Sequence, residues 1–180
     1  SALGLPTAET AISEFAGRRV LVVKRFDRQW TRDKRLLRRP QEDCCQALSV
    51  PPVRKYQTEG GPGIREILQF LKASDNPEDD QRLFIKAQIV FWLLGATDGH
   101  AKNFSIFLYP GGGFRLTPLY DVMSTQPVMD AKQIQRKHMR LAMSVGNTHH
   151  YILDTILPRH FIQSAEQAGM SASVIHAVMT

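Results

Sequence analysis

The sequence has few cysteines and no long apolar segment. Its two cysteines, Cys44 and Cys45, are adjacent, and neighbouring cysteines cannot link distant segments, so a disulfide-bonded framework is excluded. No Cys/His spacing is typical of a zinc site. No uninterrupted apolar run approaches the roughly 18 to 20 residues that a membrane-spanning helix needs. The N-terminal stretch "SALGLPTAETAISEF" lacks the basic start and apolar block of a signal peptide. We therefore expect a cytoplasmic protein.

The composition is that of a folded domain with a basic surface. The chain has 180 residues, of which 43% are hydrophobic and 22% charged, enough for one ordinary domain with a real core. The net charge of +6 favours anionic partners such as nucleotides, nucleic acid or an acidic protein surface. Charge alone does not choose among these partners, and it is equally compatible with a basic surface that binds none of them.

The hydrophobic pattern predicts an α+β fold that is mainly helical and contains a short β-hairpin. The run Val20–Val23 indicates a buried strand, and the basic stretch "QWTRDKRLLRR" indicates an exposed loop or hairpin. "FSIFLYPGGGFRLTP" is typical of a hairpin with a Gly-rich turn, and "KHMRLAMSVG" of another strand. Further helices are expected from Pro40 to just before Pro51, from Ile64 to Leu71, and in the tail segments "LPRHFIQSAEQAG" and "SASVIHAVMT".

One helix has a particularly clear start. Asn76 can cap it, Pro77 suits the first helical position, and the three acidic residues that follow are favoured by the helix dipole. From Phe84 to about Leu94 the helix is apolar nearly all round, which predicts burial in the core. The polar residues that follow Gly95 are therefore expected to be held by a firmly anchored element.

The polar cluster after this helix has the spacing of a phosphoryl-transfer site. Asp98 and Asn103 form a D-x-x-x-x-N pattern, as in the catalytic loop of protein kinases. Asp121 follows beyond the predicted hairpin, at the position where protein kinases have a second metal ligand, an aspartate. Phosphoryl transfer requires a carboxylate for the attacking hydroxyl and hard oxygen ligands for Mg²⁺. The sequence thus assigns Asp98 to the hydroxyl, and Asn103 and Asp121 to the metal.

Two further residues of the loop are candidates, and simpler readings of the cluster stay open. His100 and Lys102 can each face the γ-phosphate, or they can serve only as a loop hydrogen bond and a solvated cation. Asp98 can instead cap a helix, and Asn103 and Asp121 can serve turns. A metal hydrolase built on Asp98 and His100 lacks the further ligands that such sites need. The loop "EGGPG" lacks the Lys-Ser/Thr of a phosphate-binding P-loop, so we expect a turn there.

The order of several motifs resembles a known family. "QEDCCQAL", "GGPGI", "WLLGATDGHAKNFS" and "RLTPLYDV" are similar to successive motifs of the HipA family of bacterial toxin kinases, and "VVKRFDR" and "LPRHF" are similar to its hinge and a downstream helix. The resemblance implies a protein-kinase-like fold, use of ATP and Mg²⁺, and phosphorylation of serine or threonine. The best-known member acts on glutamyl-tRNA synthetase, halts translation and promotes persistence. It is neutralised by HipB, a helix-turn-helix antitoxin, and we expect DNA contact only through such a partner.

Carried over by motif, the resemblance gives the same roles to Asp98, Asn103 and Asp121, with His100 and Lys102 in the same loop. It adds Lys24, Arg25 and Phe26 as the hinge that borders the adenine of ATP. The family commonly has an acidic residue where this sequence has Lys24. A backbone contact to adenine tolerates that difference, whereas a side-chain contact does not.

The resemblance also has gaps. The phosphate-covering loop, the ATP-contacting lysine and the regulatory serine of the family are not recognisable in this sequence. We therefore expect residues 1–180 to be a single domain and a fragment, the C-terminal lobe of a larger kinase, with weak nucleotide binding and little turnover by itself.

Two other functional classes remain as alternatives. The chain can be a non-catalytic module that binds a helix-turn-helix antitoxin, although the joint presence of the two candidate aspartates and the asparagine argues against lost catalysis. It can also bind nucleic acid directly through "RQWTRDKRLLRR" and "KQIQRKHMR", but no DNA-reading motif accompanies these basic runs.

Overall fold

The computed structural model describes residues 3–179, which form nine strands and six α-helices. The strands are β1 (Thr10–Phe15), β2 (Arg18–Val23), β3 (Arg28–Trp30), β4 (Leu36–Arg38), β5 (Gln41–Asp43), β6 (Ser105–Leu108), β7 (Phe114–Leu116), β8 (Arg140–Val145) and β9 (His150–Ile152). The helices are α1 (Cys44–Ala47), α2 (Ile64–Leu71), α3 (Pro77–Leu94), α4 (Gln126–Asp130), α5 (Pro158–Gln167) and α6 (Ala172–Met179).

The strands form small antiparallel sheets. Three of the sheets are two-stranded hairpins, β1–β2, β3–β4 and β8–β9. The fourth has the order β5-β6-β7, in which Asp43 pairs with Ser105 and Ile106 pairs with Leu116. This sheet matters for the site because β6 begins directly after the loop that carries Asp98 and Asn103, and β7 leads to Asp121.

Helix α3 forms as the capping signals predict. The side chain of Asn76 accepts a hydrogen bond from the backbone N–H of Asp79, Pro77 is the first residue, and Gly95 ends the helix with a left-handed φ of +61°. Phe84 and Phe91 are buried, as expected, whereas the last two residues of the helix, Leu93 and Leu94, are exposed. The polar loop therefore leaves α3 at a tight, glycine-dependent stop.

The main core lies between α3 and the elements that pack on it, α2, α5 and α6. Strand β8 contributes Leu141, Met143 and Val145 to this core. Helix α2 contributes its four buried apolar residues, Ile64, Ile67, Leu68 and Leu71. Phe104 is 1% exposed and makes ring contacts with Phe84 (centroids 4.7 Å apart) and Phe91 (5.8 Å) of α3. This aromatic contact fixes the C-terminal end of the polar loop to the core.

The predicted helix at Pro40 is wrong in its start. Gln41–Asp43 form strand β5, which pairs with β6, and only Cys44–Ala47 are helical. Asp43 caps this short helix instead of lying in its first turn, since its carboxylate accepts a hydrogen bond from the backbone N–H of Gln46 at 2.9 Å. Pairing with a strand more than 60 residues away in the chain overrides the local helix signals.

The strand predicted at Val20–Val23 is present, but the expected burial is wrong. In the β1–β2 hairpin, Leu21 is 65% exposed, Ile12 67% and Phe15 63%. These side chains are exposed because, among residues 3–179, no other sheet or helix packs extensively against the hairpin. The β3–β4 hairpin is exposed, as predicted, with Trp30 at its surface. Within the described part of the chain, no helix is both long and apolar enough to cross a lipid bilayer.

Candidate active site

The loop from Ala96 to Phe104 is anchored at both ends. The backbone N–H of Ala96 donates to the carbonyl of Phe91 at 2.8 Å, and Phe104 is buried against α3. Gly99 approaches the ring of Phe91 so closely that an added Cβ would lie 2.3 Å from Phe91 Cδ2. Between these anchors, a single 3₁₀ turn covers Ala101–Asn103. The loop is therefore a fixed platform for its polar side chains.

Asp98 presents a half-exposed carboxylate, with 49% of its side chain accessible. One oxygen, Oδ1, accepts a hydrogen bond from the phenol of Tyr56 at 2.7 Å. The other oxygen, Oδ2, lies 4.0 Å from Nε2 of His100. The carboxylate is thus held by one oxygen and accessible at the other, which suits a group that receives a hydrogen bond from a bound hydroxyl.

His100 is buried beside Asp98, with 7% of its side chain exposed. Burial, followed by the nearby charge of Lys55, lowers the pKa of the His100 imidazole, so the ring is neutral at pH 7. Its Nδ1 has no hydrogen-bond partner among residues 3–179. The ring packs edge-on against Tyr56 with centroids 5.1 Å apart. His100 is therefore a neutral ring that packs against Tyr56 and supports the loop, and it does not add a positive charge to the site.

Asn103 and Asp121 come together across the β6–β7 hairpin. Nδ2 of Asn103 donates to Oδ2 of Asp121 at 3.1 Å, and Oδ1 of Asn103 accepts from the backbone N–H of His100 at 3.1 Å. The same N–H of His100 also lies 2.9 Å from the carbonyl of Asp98. Asp121 is exposed and has a left-handed φ of +56°, a conformation that aspartate tolerates better than most residues.

These two side chains carry oxygen atoms of the kind that Mg²⁺ binds. Mg²⁺ prefers hard oxygen ligands and usually keeps several waters while binding one or two protein side chains. Asp121 offers a carboxylate, and the amide oxygen of Asn103 keeps one lone pair beyond its bond to His100. Within residues 3–179, no cluster of three or more His, Cys, Asp or Glu side chains is suited to holding a metal ion.

Lys102 points away from this group. Its ammonium donates to Oδ2 of Asp43 at 2.8 Å, and this hydrogen bond raises the pKa of Lys102. The carbonyl of Lys102 accepts from the hydroxyl of Tyr120 at 2.7 Å. In this structure Lys102 therefore ties the loop to β5 and to the segment that precedes Asp121, and its predicted contact with a γ-phosphate stays a prediction.

The predicted hinge lines one cavity, and Asp121 lines a neighbouring one. A cavity of about 320 Å³ is lined by Lys24, Arg25, Phe26 and Tyr120, among others. It adjoins a second cavity of about 500 Å³ that is lined by Tyr120 and Asp121, and both cavities share Ala8, Val23 and Tyr120. The predicted hinge and one of the two metal candidates thus line separate cavities that share wall residues.

The backbone of the hinge is partly engaged. The N–H of Lys24 donates to the carbonyl of Glu9 at 2.9 Å, and its ammonium pairs with the carboxylate of Glu9 at 3.0 Å on the exposed side. Arg25 pairs with the buried Asp27 at 2.8 Å, and the hydrogen bond from Arg25 lowers the pKa of that carboxyl. The ring of Phe26 lies 5.8 Å from that of Tyr120. Phe26 and Tyr120 are therefore the hinge-side groups best placed to contact a flat ring in the cavity that the hinge lines.

Sequence reasoning missed Tyr56 and Tyr120. Tyr56 lies 42 residues before Asp98 in the chain, in a stretch without periodicity or a recognised motif. The "GGPG" loop that follows it was the available signal, because binding and catalytic residues are disproportionately found on loops. Tyr120 directly precedes Asp121 and is half-buried. A tyrosine next to an acidic residue does not by itself predict a functional site.

Comparison with known proteins gives a consistent family. The family model for the HipA-like C-terminal domain matches residues 1–180. The protein named "Putative kinase Y4mE" from Sinorhizobium fredii is 39% identical over 147 residues, which cover 81% of this chain and 33% of Y4mE. The serine/threonine-protein kinase toxin HipA of Shewanella oneidensis is 32% identical over 157 residues, which cover 81% of this chain and 35% of that toxin. The chain thus spans about a third of the length of these curated relatives.

Two solved structures share the fold. HipA of Shewanella oneidensis MR-1, solved in complex with HipB and its operator DNA, matches 98% of this chain and 42% of its own with a TM-score of 0.82 at 24% identity. The Helicobacter pylori proinflammatory kinase CtkA matches 99% of this chain and 70% of its own with a TM-score of 0.60 at 14% identity. At these identities the similarities establish a kinase-like fold and nothing beyond it.

The family resemblance in the sequence motifs is therefore confirmed by a family model, by relatives named as kinases and by solved structures. This chain belongs to the family of HipA-like C-terminal domains.

Proposed function

We propose that this chain is the mainly helical catalytic lobe of a serine/threonine protein kinase that uses ATP and Mg²⁺. The observation that carries the proposal is the convergence of three side chains. The backbone N–H of His100 contacts the carbonyl of Asp98 and the side-chain oxygen of Asn103, and Asn103 contacts Asp121. The charges of Asp98 and Asp121 both act on the pKa of His100, so both carboxylates lie near its ring. Kinase relatives and the kinase-like fold support it.

In this proposal Asp98 orients the attacking hydroxyl. The hydroxyl oxygen forms a bond to the γ-phosphorus, the bond from that phosphorus to the bridging oxygen breaks, and ADP leaves. The hydroxyl proton passes to the accessible Oδ2 of Asp98 and then to solvent. The neutral ring of His100 supports the loop beneath this carboxylate, because its lowered pKa removes a competing positive charge.

Asn103 and Asp121 are the proposed ligands of Mg²⁺. The ion, when bound, neutralises charge on the phosphates of ATP. Asp121 supplies the negative charge of the pair, and Asn103 fixes the position of that carboxylate through their hydrogen bond of 3.1 Å. Lys102 has a supporting role, since its ion pair with Asp43 holds the loop from the other side.

The hinge is the proposed adenine site. Phe26 and Tyr120 offer aromatic surface to the purine, and hydrogen bonds would come from the backbone of Lys24–Phe26. The N–H of Lys24 already donates to Glu9, and the carbonyl of Arg25 accepts from the N–H of Arg28 at 3.4 Å. The carbonyl of Lys24, the N–H of Arg25 and the backbone of Phe26 are therefore the groups proposed for the nucleotide. A backbone contact of this kind is compatible with lysine at position 24.

The partner and the target are proposed by analogy with the family. We propose a HipB-like helix-turn-helix antitoxin as the partner, with DNA contacted only through it, since the related toxin was solved with HipB and operator DNA. Glutamyl-tRNA synthetase is the first substrate to test, because the resemblance implies it, with growth arrest and persistence as the consequence.

The proposal is tested with Asp98→Asn in the natural protein that contains this chain. Transfer of labelled γ-phosphate from ATP to glutamyl-tRNA synthetase and to casein, in the presence of MgCl₂, is expected to fall at least 100-fold, while antitoxin binding is unchanged. Asp154→Asn is the matched control, because Asp154 has the same charge and nearly the same exposure (48% against 49%) but pairs with Arg136 instead. Undiminished transfer by Asp98→Asn contradicts the proposal.

The second candidate is a non-catalytic module that binds the antitoxin. The exposed apolar residues of the β1–β2 and β3–β4 hairpins, such as Leu21 and Trp30, favour a protein-binding surface. Under this reading the wild-type protein transfers no phosphate, and Asp98→Asn changes neither transfer nor antitoxin binding.

A further inference from the structure

The segment Arg54–Gln57 lies directly against the loop that carries Asp98. The backbone N–H of Ala101 donates to the carbonyl of Lys55 at 3.4 Å, which joins the two segments through their main chains. The phenol of Tyr56 donates to Oδ1 of Asp98 at 2.7 Å, and its ring stands edge-on to His100. Tyr56 therefore contacts two neighbouring polar groups of the loop at once.

We propose that Tyr56 is a positioning residue of the phosphotransfer site, which holds the carboxylate of Asp98 so that Oδ2 faces the hydroxyl of the substrate. This inference rests on the proposed kinase function. A half-exposed aspartate on a loop can rotate about its Cβ–Cγ bond, which exchanges and misdirects its two oxygens. A donor fixed at Oδ1 removes that freedom, and a misplacement of about 1 Å in such a group costs about 100-fold in rate.

The phenol of Tyr56 is suited to this task because it remains a donor. Its hydrogen bond to Asp98, together with burial, raises the pKa of Tyr56 to about 12, so the hydroxyl keeps its proton throughout the physiological range. The ammonium of Lys55 lies 5.0 Å from the centroid of the Tyr56 ring, and the same ring packs against His100. The ring is therefore held on more than one side.

The "EGGPG" motif explains how Tyr56 itself is fixed. The carbonyl of Tyr56 accepts hydrogen bonds from the backbone of Glu59 at 3.0 Å and of Gly61 at 2.9 Å, which closes a tight turn. At Gly61 an added Cβ would lie 2.2 Å from the carbonyl oxygen of Arg54, so only glycine allows this turn. The side chain of Gln57 then accepts from Ser144 of β8 at 2.7 Å. The motif thus fastens Tyr56 to the core instead of cradling a phosphate.

The kinetic test compares Tyr56→Phe with Tyr109→Phe in the natural protein that contains this chain. Tyr56→Phe keeps the ring on His100 and removes only the hydroxyl, whereas Tyr109 lies in the β6–β7 turn, outside the site. With labelled ATP, MgCl₂ and casein as acceptor, we expect kcat to fall about 10- to 100-fold in Tyr56→Phe. The KM for ATP and the melting temperature should match those of the control.

Two results would overturn the inference while leaving the kinase proposal intact. In one, Tyr56→Phe transfers phosphate as fast as Tyr109→Phe. In the other, adding Tyr56→Phe to Asp98→Asn lowers the residual rate by the same factor as it does in the wild type. That result would contradict the inference, because a residue that acts by positioning the carboxylate of Asp98 should have little effect once that carboxylate is removed. If the wild-type protein transfers no phosphate at all, both proposals fall.

A titration checks the contact without any need for catalysis. The difference in absorbance at 295 nm between the wild-type chain and Tyr56→Phe isolates the phenol of Tyr56, which should ionise near its raised pKa of about 12. In the Asp98→Asn background the same difference should shift towards the ordinary value near 10. An unchanged midpoint would show that the phenol does not bind the carboxylate in solution.

Discussion

Gly99, between Asp98 and His100, has no space for a side chain. Its Cα faces the ring of Phe91, which is 3% exposed and belongs to the last turns of α3. The ring cannot move away easily, because it also packs on Phe104. The close approach of this glycine therefore sets how deeply the candidate catalytic loop sits on the core.

Gly99→Ala is expected to lower the free energy of unfolding by about 1 to 3 kcal/mol, the usual cost of overpacking a core. Urea unfolding followed by circular dichroism measures the change. Adding Phe91→Leu makes room for the new methyl group, so the double variant should be less destabilised than the sum of the two single variants. Simple additivity would show that the loop avoids the ring by moving outward.

At this scale the sequence predicted part of the site. The spacing of Asp98, Asn103 and Asp121 indicated that they act together, and the contact between Asn103 and Asp121 is present, while their chemical roles stay predictions. The partner of Lys102 could not be predicted, because Asp43 approaches it only through the pairing of β5 with β6. The same holds for Tyr56, whose contact depends on a turn far from Asp98 in the chain.

Among the elements, the short helix α1 is joined to the candidate loop by the backbone N–H of Cys44, which donates to the carbonyl of Phe104 at 2.8 Å, and by the side chain of Asp43. Oδ1 of Asp43 caps α1 through the N–H of Gln46, and Oδ2 accepts from the ammonium of Lys102. The carboxylate is largely buried, with 12% of its side chain exposed. One residue therefore couples the end of β5, the start of α1 and the loop.

Asp43→Ala is expected to destabilise the fold by about 1 to 3 kcal/mol, since it removes both a helix cap and an ion pair. Asp43→Asn is the matched control: asparagine caps as well as aspartate, so its cost should stay below about 1 kcal/mol. The pKa of Lys102 is raised by its hydrogen bond to Asp43. The stabilisation that this ion pair adds to the folded state is therefore complete below about pH 10.5 and is lost at higher pH, as the ammonium loses its proton. Chemical denaturation at pH 8 and pH 11 measures both effects, and equal costs for the two variants would exclude the capping role.

The elements show why some predictions succeeded and others did not. Helix α3 carries its own cap, proline and terminal glycine, so local sequence was sufficient. Strand β5 has no local signal, because its stability comes from hydrogen bonds to β6. The prediction that β2 is buried was wrong for a related reason. An apolar, β-branched run indicates a strand, but it does not show whether another sheet or helix packs against that strand.

The whole molecule should lose stability in mild acid. His100 and His160 are both buried, and burial lowers the pKa of each. The ring of His160 also stacks on that of His150, with centroids 3.9 Å apart, so a charge on one ring opposes a charge on the other. Because the folded state disfavours the protonated imidazoles, the stabilisation is complete above the unfolded value near pH 6.5 and is lost as the pH falls below it.

We expect the free energy of unfolding, measured with urea, to decrease steadily from pH 7 to pH 5. His160→Gln should flatten this dependence, because glutamine does not titrate. His138→Gln is the control, since His138 is exposed on a surface turn. A pH dependence that is identical in the two variants would exclude His160 as a source of the acid sensitivity.

The left-handed backbone at Asp121 makes some residues more favourable than others at that position. Most side chains lose roughly 1 to 3 kcal/mol in such a conformation, whereas aspartate, asparagine and glycine adopt it readily. Of these three, only aspartate carries a charge. Backbone geometry therefore favours aspartate, asparagine or glycine at position 121, and a requirement for negative charge at this position would favour aspartate among them.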